Sequence, residues 1–347
     1  MTSDADLTEI LTETVRGADG PLRIEGGGTR DFYGRPVAGQ SLPVAGHRGI
    51  IDYDPSELVI TARAGTPMAE IEAALEAEGQ MFCFEPPSFG PGGTVGGAVA
   101  TGLSGPRRPF AGALRDYVLG ARVLDGRGEV LRFGGTVFKN VAGFDAFRLQ
   151  AGALGGLGVI LDVSIRVTPR PRVETALVFE MGGEAARRWV VGLMGRPLPL
   201  SGAFHDGVQL HLRLSGGAAA VAVARRELGG EAEDAGVWAQ IRDLTHPALQ
   251  HGPVLWRIAV PQTTELTALA GAAWDWAGGV RWLCAEAVDP AIWSLAAGAG
   301  GHATLFRGAQ DQVFQPLPAA LFALHRRVKA ALDPRGLFNP GRMYEGL

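Results

Sequence analysis

The chain has 347 residues, which is more than a single hydrophobic core normally serves, so its length predicts two domains. Its formal net charge of −4 excludes the basic surface that nucleic-acid binding requires. Its two cysteines, Cys83 and Cys284, are too few for a disulfide framework or an iron–sulfur cluster, and we expect both to be reduced and buried.

The hydrophobic pattern contains no signal peptide and no transmembrane helix. The N-terminus is acidic and polar, and Asp275 interrupts the longest apolar stretch, 266–280. We therefore predict a cytoplasmic protein without a transmembrane segment, and the sequence leaves open a peripheral association with the inner membrane through partners.

Hydrophobic periodicity predicts alternating helices and strands up to about residue 170. The expected elements are helices over 4–16 and from the N-cap Thr66 to 78, and strands over 22–25, 50–53, 58–64, 118–124, 129–133 and 158–167. Residues 85–116 are rich in Gly and Pro with almost no periodicity, and a structureless loop that long inside a compact domain is usually functional.

The stretch Pro169-Arg170-Pro171 is the strongest candidate for a domain boundary. Beyond it, the pattern predicts a strand over 176–179, a helix over 185–194, a strand over 209–214 and a helix from about 217, which is typical of a compact α+β domain. A last helix over 317–331 carries Leu321, Leu324, Val328 and Leu332 on one face. We predict a first domain over 1–171, a small α+β cap over 172–312, and a C-terminal helix and tail over 313–347 that return to the first domain.

Glycine is unusually abundant, with 51 residues, and two glycine clusters stand out. The first, Gly26-Gly27-Gly28-Thr29-Arg30-Asp31, directly follows a predicted strand, and the second runs from Pro91 to Gly105. Consecutive backbone amides without side chains can wrap an anion closely, so both loops are candidates for a dinucleotide diphosphate. Neither loop is a Rossmann fingerprint or a P-loop, and no G-x-S-x-G elbow occurs.

Six motifs make the chain resemble the FAD-binding fold of the vanillyl-alcohol oxidase (PCMH) type. They are the two glycine loops, the segment 112–120, Phe138-Lys139-Asn140-Val141-Ala142-Gly143-Phe144-Asp145, the turn Gly155-Gly156-Leu157-Gly158-Val159-Ile160, and Leu337-Phe338-Asn339-Pro340-Gly341. The resemblance covers about 22–171 and 313–344, and it implies an α+β fold with a two-lobed FAD-binding domain and a small cap.

The resemblance implies which residues bind FAD, and it assigns no catalytic residue. The expected FAD-binding residues are Gly26, Gly27, Gly28, Thr29, Arg30, Pro87, Gly93, Thr94, Gly96, Gly97, Ala100, Thr101, Gly102, Ser104, Gly105, Gly112, Gly158, Val159, Ile160 and Asn339. Lys139 and Asn140 lie where the family approaches the flavin. Arg107 and Arg108 are weighed as contacts of the anionic cofactor or of an acidic partner, or as solvated loop charges.

Two departures from the family pattern carry information. Members with covalent FAD place a His in the first loop, where this chain has Gly28-Thr29, so the resemblance implies non-covalent binding. Larger hydroxy-acid dehydrogenases of the family carry an H-x-G-D-G-N-x-H metal motif that is missing here, so no metal site is predicted. We interpret the scattered His205, His211, His246, His251 and His325 as structural or exposed.

Within the family the chain is most similar to the smaller FAD-binding subunits of bacterial glycolate oxidases. This implies a larger FAD-binding partner subunit and a separate iron–sulfur subunit, with a small 2-hydroxy acid as substrate and no nucleic acid. Hydride would pass from the α-carbon of the substrate to FAD. Two alternatives are a self-contained FAD-dependent 2-hydroxy-acid dehydrogenase and a structural subunit with a vestigial flavin site.

Overall fold

The computed structural model of the chain describes residues 4–135, 145–265, 269, 271–308 and 311–347. The helices are α1 (Thr8–Gly17), α2 (Met68–Ala77), α3 (Val95–Thr101), α4 (Arg108–Ala111), α5 (Leu114–Tyr117), α6 (Gly183–Met194), α7 (Ala218–Leu228), α8 (Val237–Arg242), α9 (Ala291–Gly298) and α10 (Ala319–Leu332). The strands are β1 (Leu22–Glu25), β2 (Gln40–Pro43), β3 (Ile50–Asp54), β4 (Val59–Arg63), β5 (Gln80–Met81), β6 (Val118–Leu124), β7 (Val130–Gly134), β8 (Val159–Arg166), β9 (Thr168–Pro169), β10 (Val173–Glu180), β11 (Leu200–His205), β12 (Gln209–Gly216), β13 (Glu231–Glu233), β14 (Val254–Ala259), β15 (Ala273–Asp275), β16 (Val280–Ala285) and β17 (His302–Arg307).

The first half of the chain holds an antiparallel sheet in the order β3-β4-β8-β6-β7 among the described residues. Its central strand β8 is buried along almost its whole length, and Ile71 of α2 and Val99 of α3 pack into the same core as Val163. A parallel pair, β1 and β2, forms a second lobe together with α1. The first half is therefore divided into two packed parts.

The second half holds a sheet whose described strands run in the order β13-β10-β12-β11-β15-β16-β14-β17, all antiparallel. Helices α6 and α7 cover it through Val190 and Val221, and α9 covers the far end through Ile292. The predicted order of strand, helix, strand and helix is confirmed by β10, α6, β12 and α7, and strand β11 between them was missed.

The expectation of a structureless stretch over 85–116 is wrong, since α3, α4 and α5 lie there. Thr94 caps α3, with its Oγ1 accepting a hydrogen bond of 3.2 Å from the amide of Gly97. A Cβ at Gly96 would lie 2.7 Å from the Cβ of Ala64, so the missing side chain lets α3 lie directly on the end of β4. Gly and Ala carry no hydrophobic periodicity, which is why the pattern concealed this helix.

Two further residue expectations need correction. Thr66 does not cap α2: its hydroxyl donates to the carbonyls of Arg63 at 2.7 Å and Gly49 at 3.2 Å, and Pro67 occupies the N-cap position. Cys83 and Cys284 are free, as predicted, but half-buried rather than buried.

A network of ion pairs joins the two halves of the chain. Glu85 of the first half accepts from Arg107 at 3.2 Å and from Arg213 of β12 at 2.8 Å, and Arg107 also reaches Glu174 of β10 at 2.7 Å. Nε1 of Trp276 donates to the carbonyl of Gly105 at 3.0 Å. The segment after the second glycine loop is thereby fixed against the sheet of the second half.

The C-terminal tail contacts the lobe formed by β1, β2 and α1. The amide of Asn339 donates to the carbonyl of Leu22 at 3.0 Å, and Nζ of Lys329 in α10 donates to the carbonyls of Gly156 and Phe338, both at 2.7 Å. Helix α10 has no buried residue, and Leu321 and Leu324 of its apolar face are 41% and 44% exposed. In the described part of the chain, no helix is both long enough and apolar enough to cross a bilayer.

Candidate cofactor-binding site

A cleft of about 300 Å³ lies where β1, α3 and the C-terminal tail meet. The residues predicted from the sequence that line it are Gly26, Gly27, Gly28, Thr29, Arg30, Thr94, Gly96, Gly97, Ala100, Thr101, Gly158, Ile160 and Asn339. The structure therefore brings the two glycine loops, about seventy residues apart in the chain, to one cavity. Its volume is at the lower end of the range usual for small-molecule sites.

The glycine loops approach each other backbone to backbone. A Cβ at Gly27 would lie 1.6 Å from the carbonyl oxygen of Gly92, and one at Gly26 would lie 3.2 Å from Oγ1 of Thr94. Gly28 has a φ of +76°, in the left-handed region that favours glycine. A side chain is thus excluded at Gly27 and would be strained at Gly28, so main-chain groups form this part of the cleft surface.

Arg30 is the buried cation of the cleft, with an exposed fraction of 6%. Its Nη2 donates to the carbonyl of Pro87 and its Nη1 to Oγ1 of Thr29 at 3.2 Å, but its Nε is buried without a hydrogen-bond partner. Burial lowers its pKa to about 10, and no carboxylate in the described residues forms an ion pair with it. An anion entering the cleft would supply the missing partner.

Seven of the predicted FAD-binding residues do not line this cleft: Pro87, Gly93, Gly102, Ser104, Gly105, Gly112 and Val159. The carbonyl of Pro87 accepts a hydrogen bond from Arg30, and a Cβ at Gly93 would lie 3.0 Å from Nη1 of Arg30. Gly102 ends α3 with a φ of +63°, and Oγ of Ser104 accepts from the amide of Leu114 at 3.0 Å. In this conformation these residues shape the surrounding loops.

The remaining predicted residues have structural contacts or lie outside the described chain. Gly112 ends α4 with a φ of +104°, and Val159 is buried within β8. Lys139 and Asn140 lie outside the described residues. Both ends of the Asn339 amide are engaged, with Oδ1 accepting from Ile24 at 2.9 Å and Nδ2 donating to Leu154 at 2.8 Å.

The sequence did not predict several residues that line the cleft. Tyr33 and Arg342 line it, and Arg342 donates to the carbonyls of Asp31 at 2.8 Å and Tyr33 at 3.1 Å. Gly155 also lines it, and a Cβ there would lie 2.6 Å from Nδ2 of Asn339. The glycine run around 155 signalled this contact, whereas nothing local identified Tyr33 or Arg342.

A second, smaller cavity of about 20 Å³ lies between the two halves of the chain. Ser104 and Gly105 line one side, and Arg257, Asp275 and Trp276 line the other. The two cavities share an aromatic wall, because Tyr33 lines the cleft, Phe306 lines the small cavity, and their ring centres lie 5.3 Å apart.

Two guanidinium groups stack on one indole beside the small cavity. The Cζ atoms of Arg108 and Arg257 lie 4.2 and 4.7 Å from the ring centre of Trp276. Neither side chain has a hydrogen bond or ion pair within the described chain, and burial lowers the pKa of both. The solvated-loop interpretation of Arg108 is therefore wrong, since the side chain is half-buried against Trp276.

Asp275 is a buried carboxyl group in the same cavity wall, with an exposed fraction of 5%. Oδ1 accepts a hydrogen bond of 2.7 Å from the amide of Trp276. Burial raises its pKa to about 7, so the group can exchange a proton near neutral pH.

Comparison with known proteins identifies the family. Residues 1–134 match the FAD binding domain family and residues 305–343 match the C-terminal domain of FAD linked oxidases. Over its full length the chain is 47% identical to the glycolate oxidase subunit GlcE of Escherichia coli, and the alignment covers 100% of both proteins. The chain belongs to this family of FAD-linked oxidase subunits. The resemblance inferred from the motifs is confirmed.

More distant relatives cover less of the chain. The glycolate oxidase subunit GlcD of Bacillus subtilis is 30% identical over 46% of this chain, which spans 34% of GlcD. A D-lactate dehydrogenase of Anaerostipes hadrus is 32% identical over 38% of the chain and 27% of its own length. A solved alkyldihydroxyacetonephosphate synthase superposes with a TM-score of 0.69 at 16% identity, covering 98% of this chain and 76% of that one, which confirms the α+β PCMH-type fold.

The residues of the cleft fit FAD. A dinucleotide diphosphate needs closely approaching amides and a cation, and the cleft offers the glycine backbones together with the guanidinium of Arg30. The family assignment and the cleft thus agree on an FAD-binding subunit.

Proposed function

We propose that the chain holds FAD non-covalently in the cleft of the first half and acts as the FAD-carrying subunit of a glycolate oxidase complex that oxidises a 2-hydroxy acid to the 2-oxo acid. The full-length identity with GlcE supports the assignment. The observation that carries it is the buried Arg30, without an anionic partner, facing two side-chain-free loops. No His or Cys among the described residues lines the cleft, which supports non-covalent binding.

In this proposal, the chain's own residues bind FAD and orient it. Backbone amides of residues 26–29 and the guanidinium of Arg30 would hold the diphosphate. FAD, when bound, supplies the acceptor for the hydride that leaves the α-carbon of the substrate. The rings of Tyr33 and Phe306 lie against each other where the cleft and the small cavity approach.

We propose that the substrate carboxylate binds beside Trp276. Arg108 and Arg257 place two positive charges there without a carboxylate partner, and burying unpaired charge is costly, so an anionic ligand is favoured. A guanidinium offers a carboxylate two parallel hydrogen bonds. Asp275, with its pKa near neutrality, is the candidate to take the hydroxyl proton at Oδ2, the oxygen that is not bonded to Trp276.

The proposed partner subunits supply chemistry that this chain lacks. Two cysteines cannot hold an iron–sulfur cluster, so electrons leaving the chain would need a separate iron–sulfur subunit. The similarity to GlcD over less than half of the chain supports a larger FAD-bearing sister subunit.

The test compares the complex co-purified from its host with the isolated chain. We expect one releasable FAD per chain after acid precipitation of the isolated chain, and bleaching of the flavin absorbance by glycolate under anaerobic conditions in the complex. Bleaching of the isolated chain would instead show a self-contained dehydrogenase. A refolded chain that takes up no FAD would indicate a vestigial site and contradict the proposal.

A separate measurement tests the proposed substrate-carboxylate site beside Trp276. Arg257→Met should raise the KM for glycolate in the complex by about 10–100-fold, the cost of a lost charged hydrogen bond, while FAD content stays unchanged. Arg226→Met is the matched control, because Arg226 is exposed on α7. An unchanged KM in Arg257→Met would place the substrate elsewhere, without affecting the FAD assignment.

A further inference from the structure

Three potential metal ligands meet in the second half of the chain, although their spacing in the sequence gave no sign of it. Asp206 lies in the turn between β11 and β12, His211 lies in β12, and His246 lies in the segment that follows α8. One possible ligand atom from each residue lies within 4.8 Å of the others. His211 and His246 are 3% and 8% exposed. The structural interpretation of these histidines thus overlooked a cluster.

His211 presents an unused nitrogen to the cluster. Its Nε2 is buried without a hydrogen-bond partner and lies 3.6 Å from Oδ2 of Asp206, beyond hydrogen-bonding distance. Neighbouring His205 differs, since its Nε2 contacts the carbonyl of Met181 at 2.8 Å and its Nδ1 accepts from Gly207 at 3.0 Å. His211 therefore differs from its neighbour His205 in leaving one buried ring nitrogen without a hydrogen-bond partner.

The second ring nitrogen of His211 is held by a carboxylate. Nδ1 lies 2.9 Å from both carboxylate oxygens of Glu233 in β13. A carboxylate on one ring nitrogen is the arrangement that orients a metal-bound histidine and increases its basicity. Glu233 would thus support His211 from behind while Nε2 faces the cluster.

Asp206 and His246 are also oriented. Oδ1 of Asp206 accepts from the amides of Val208 at 2.7 Å and Gln209 at 2.6 Å, which leaves Oδ2 for a ligand. Nδ1 of His246 accepts a long bond of 3.3 Å from Ala248. A metal bound to Nδ1 of His246 would displace this bond, and a metal bound to Nε2 would leave it in place.

The charges of the cluster also favour a cation. Asp206 and Glu233 bring two carboxylates to this site, and among the described residues neither has a Lys or Arg within 4 Å. A divalent ion would balance them. In a tetrahedral site with ligands at about 2.0–2.1 Å, ligand atoms lie about 3.3 Å apart, so the 3.6 Å separation of Oδ2 and Nε2 requires little movement.

We propose that Asp206, His211 and His246 form a binding site for a divalent transition metal with the ligand preferences of zinc, supported by Glu233. Two imidazoles and a carboxylate suit zinc better than calcium or magnesium. The ion would tie the turn between β11 and β12, strand β13 and the segment around His246 together. Asp206, whose side chain is 20% exposed, gives solvent access to a fourth position.

The experiment uses the full-length, tag-free chain with its FAD, dialysed against a chelator and titrated with ZnCl2 in a calorimeter. We expect saturable binding of one zinc ion per chain and a higher melting temperature with zinc. Asp206→Asn and His211→Gln should abolish this binding. Glu233→Gln should keep the stoichiometry and weaken affinity by about 10–100-fold.

His251→Gln is the matched control, since His251 is exposed and outside the cluster. The proposal is overturned if the wild-type chain shows no saturable binding, or if His211→Gln binds zinc as tightly as wild type. Should His211→Gln fail to fold, Co²⁺ titration of the wild-type chain decides, because its difference absorption spectrum separates four-coordinate from six-coordinate cobalt. A six-coordinate spectrum would contradict the site.

Discussion

Gly97 offers a direct test of the cleft at the scale of one residue. It lines the cavity, and a Cβ there would meet only Oγ1 of Thr94 at 3.3 Å and Nη1 of Arg30 at 3.9 Å. We expect Gly97→Leu to fold but to lose FAD, because its side chain would fill the space of the ligand. Flavin absorbance per chain after purification measures this.

The matched control is Gly192→Leu. Gly192 is exposed in α6, and no atom lies within 4 Å of the position where its Cβ would be. This variant should keep its flavin. Full flavin content in Gly97→Leu would show that the cleft is not the FAD site.

Arg30 tests the charge of the cleft. Because no carboxylate pairs with it in the described chain, Arg30→Met should leave the melting temperature of the FAD-free protein nearly unchanged. FAD affinity should fall about 10–100-fold, which corresponds to a lost hydrogen bond of about 1.5–3 kcal/mol to a charged group. Fluorescence titration with FAD measures it, and Arg30→Lys should restore part of the affinity. Equal affinity in all three proteins would remove Arg30 from the site.

At the scale of elements, ion pairs of Glu85 and Arg107, which flank the second glycine loop, join the first half of the chain to β10 and β12. Arg213 is 3% exposed as a side chain, and Glu85 is 12% exposed. Glu85→Gln preserves shape but leaves Arg107 and Arg213 short of a charge partner, so we expect a loss of about 3–5 kcal/mol in the free energy of unfolding.

Denaturant titration measures this loss. Glu227→Gln, which breaks an exposed pair with Arg196, should cost no more than about 1 kcal/mol. If the two variants lose equal stability, the network between the halves does not stabilise the fold.

Elements with strong periodicity could be predicted, and those without it could not. Strands β6, β8 and β10 and helices α2 and α6 agree with the expected positions to within a few residues. Helix α3 was missed because Gly and Ala have no pattern, and Leu321 and Leu324 show that an apolar stripe in α10 did not imply burial.

The residues of the candidate sites likewise divide into those that the sequence could predict and those that it could not. The glycine loops were visible because close backbone approach requires glycine, and both lie at the cleft. Arg257, Asp275 and Trp276, and the cluster of Asp206, His211 and His246, were not visible, because contacts between distant strands place them together.

At the scale of the whole molecule, Asp275 makes stability depend on pH. Burial raises its folded pKa from 3.8 to about 7. At a pH between 3.8 and about 7, Asp275 is therefore deprotonated in the unfolded chain and protonated in the folded chain. The stabilisation by protonated Asp275 is therefore fully present below about pH 4 and is lost as the pH rises towards 7.

We expect Asp275→Asn to gain stability relative to wild type by up to about 1.4 kcal/mol per pH unit between pH 4 and 7, since an amide keeps the bond from Trp276 without ionising. Asp54→Asn is the contrast: hydrogen bonds from Ser56 and Glu57 lower the pKa of Asp54 from 3.8, so its stabilisation changes only below about pH 4 and the difference should stay flat from pH 4 to 8. Denaturant melts at half-unit pH intervals measure both differences. A flat difference for Asp275→Asn from pH 4 to 8 would mean that water reaches this carboxylate, and its assignment as the group that takes the hydroxyl proton would lose its basis.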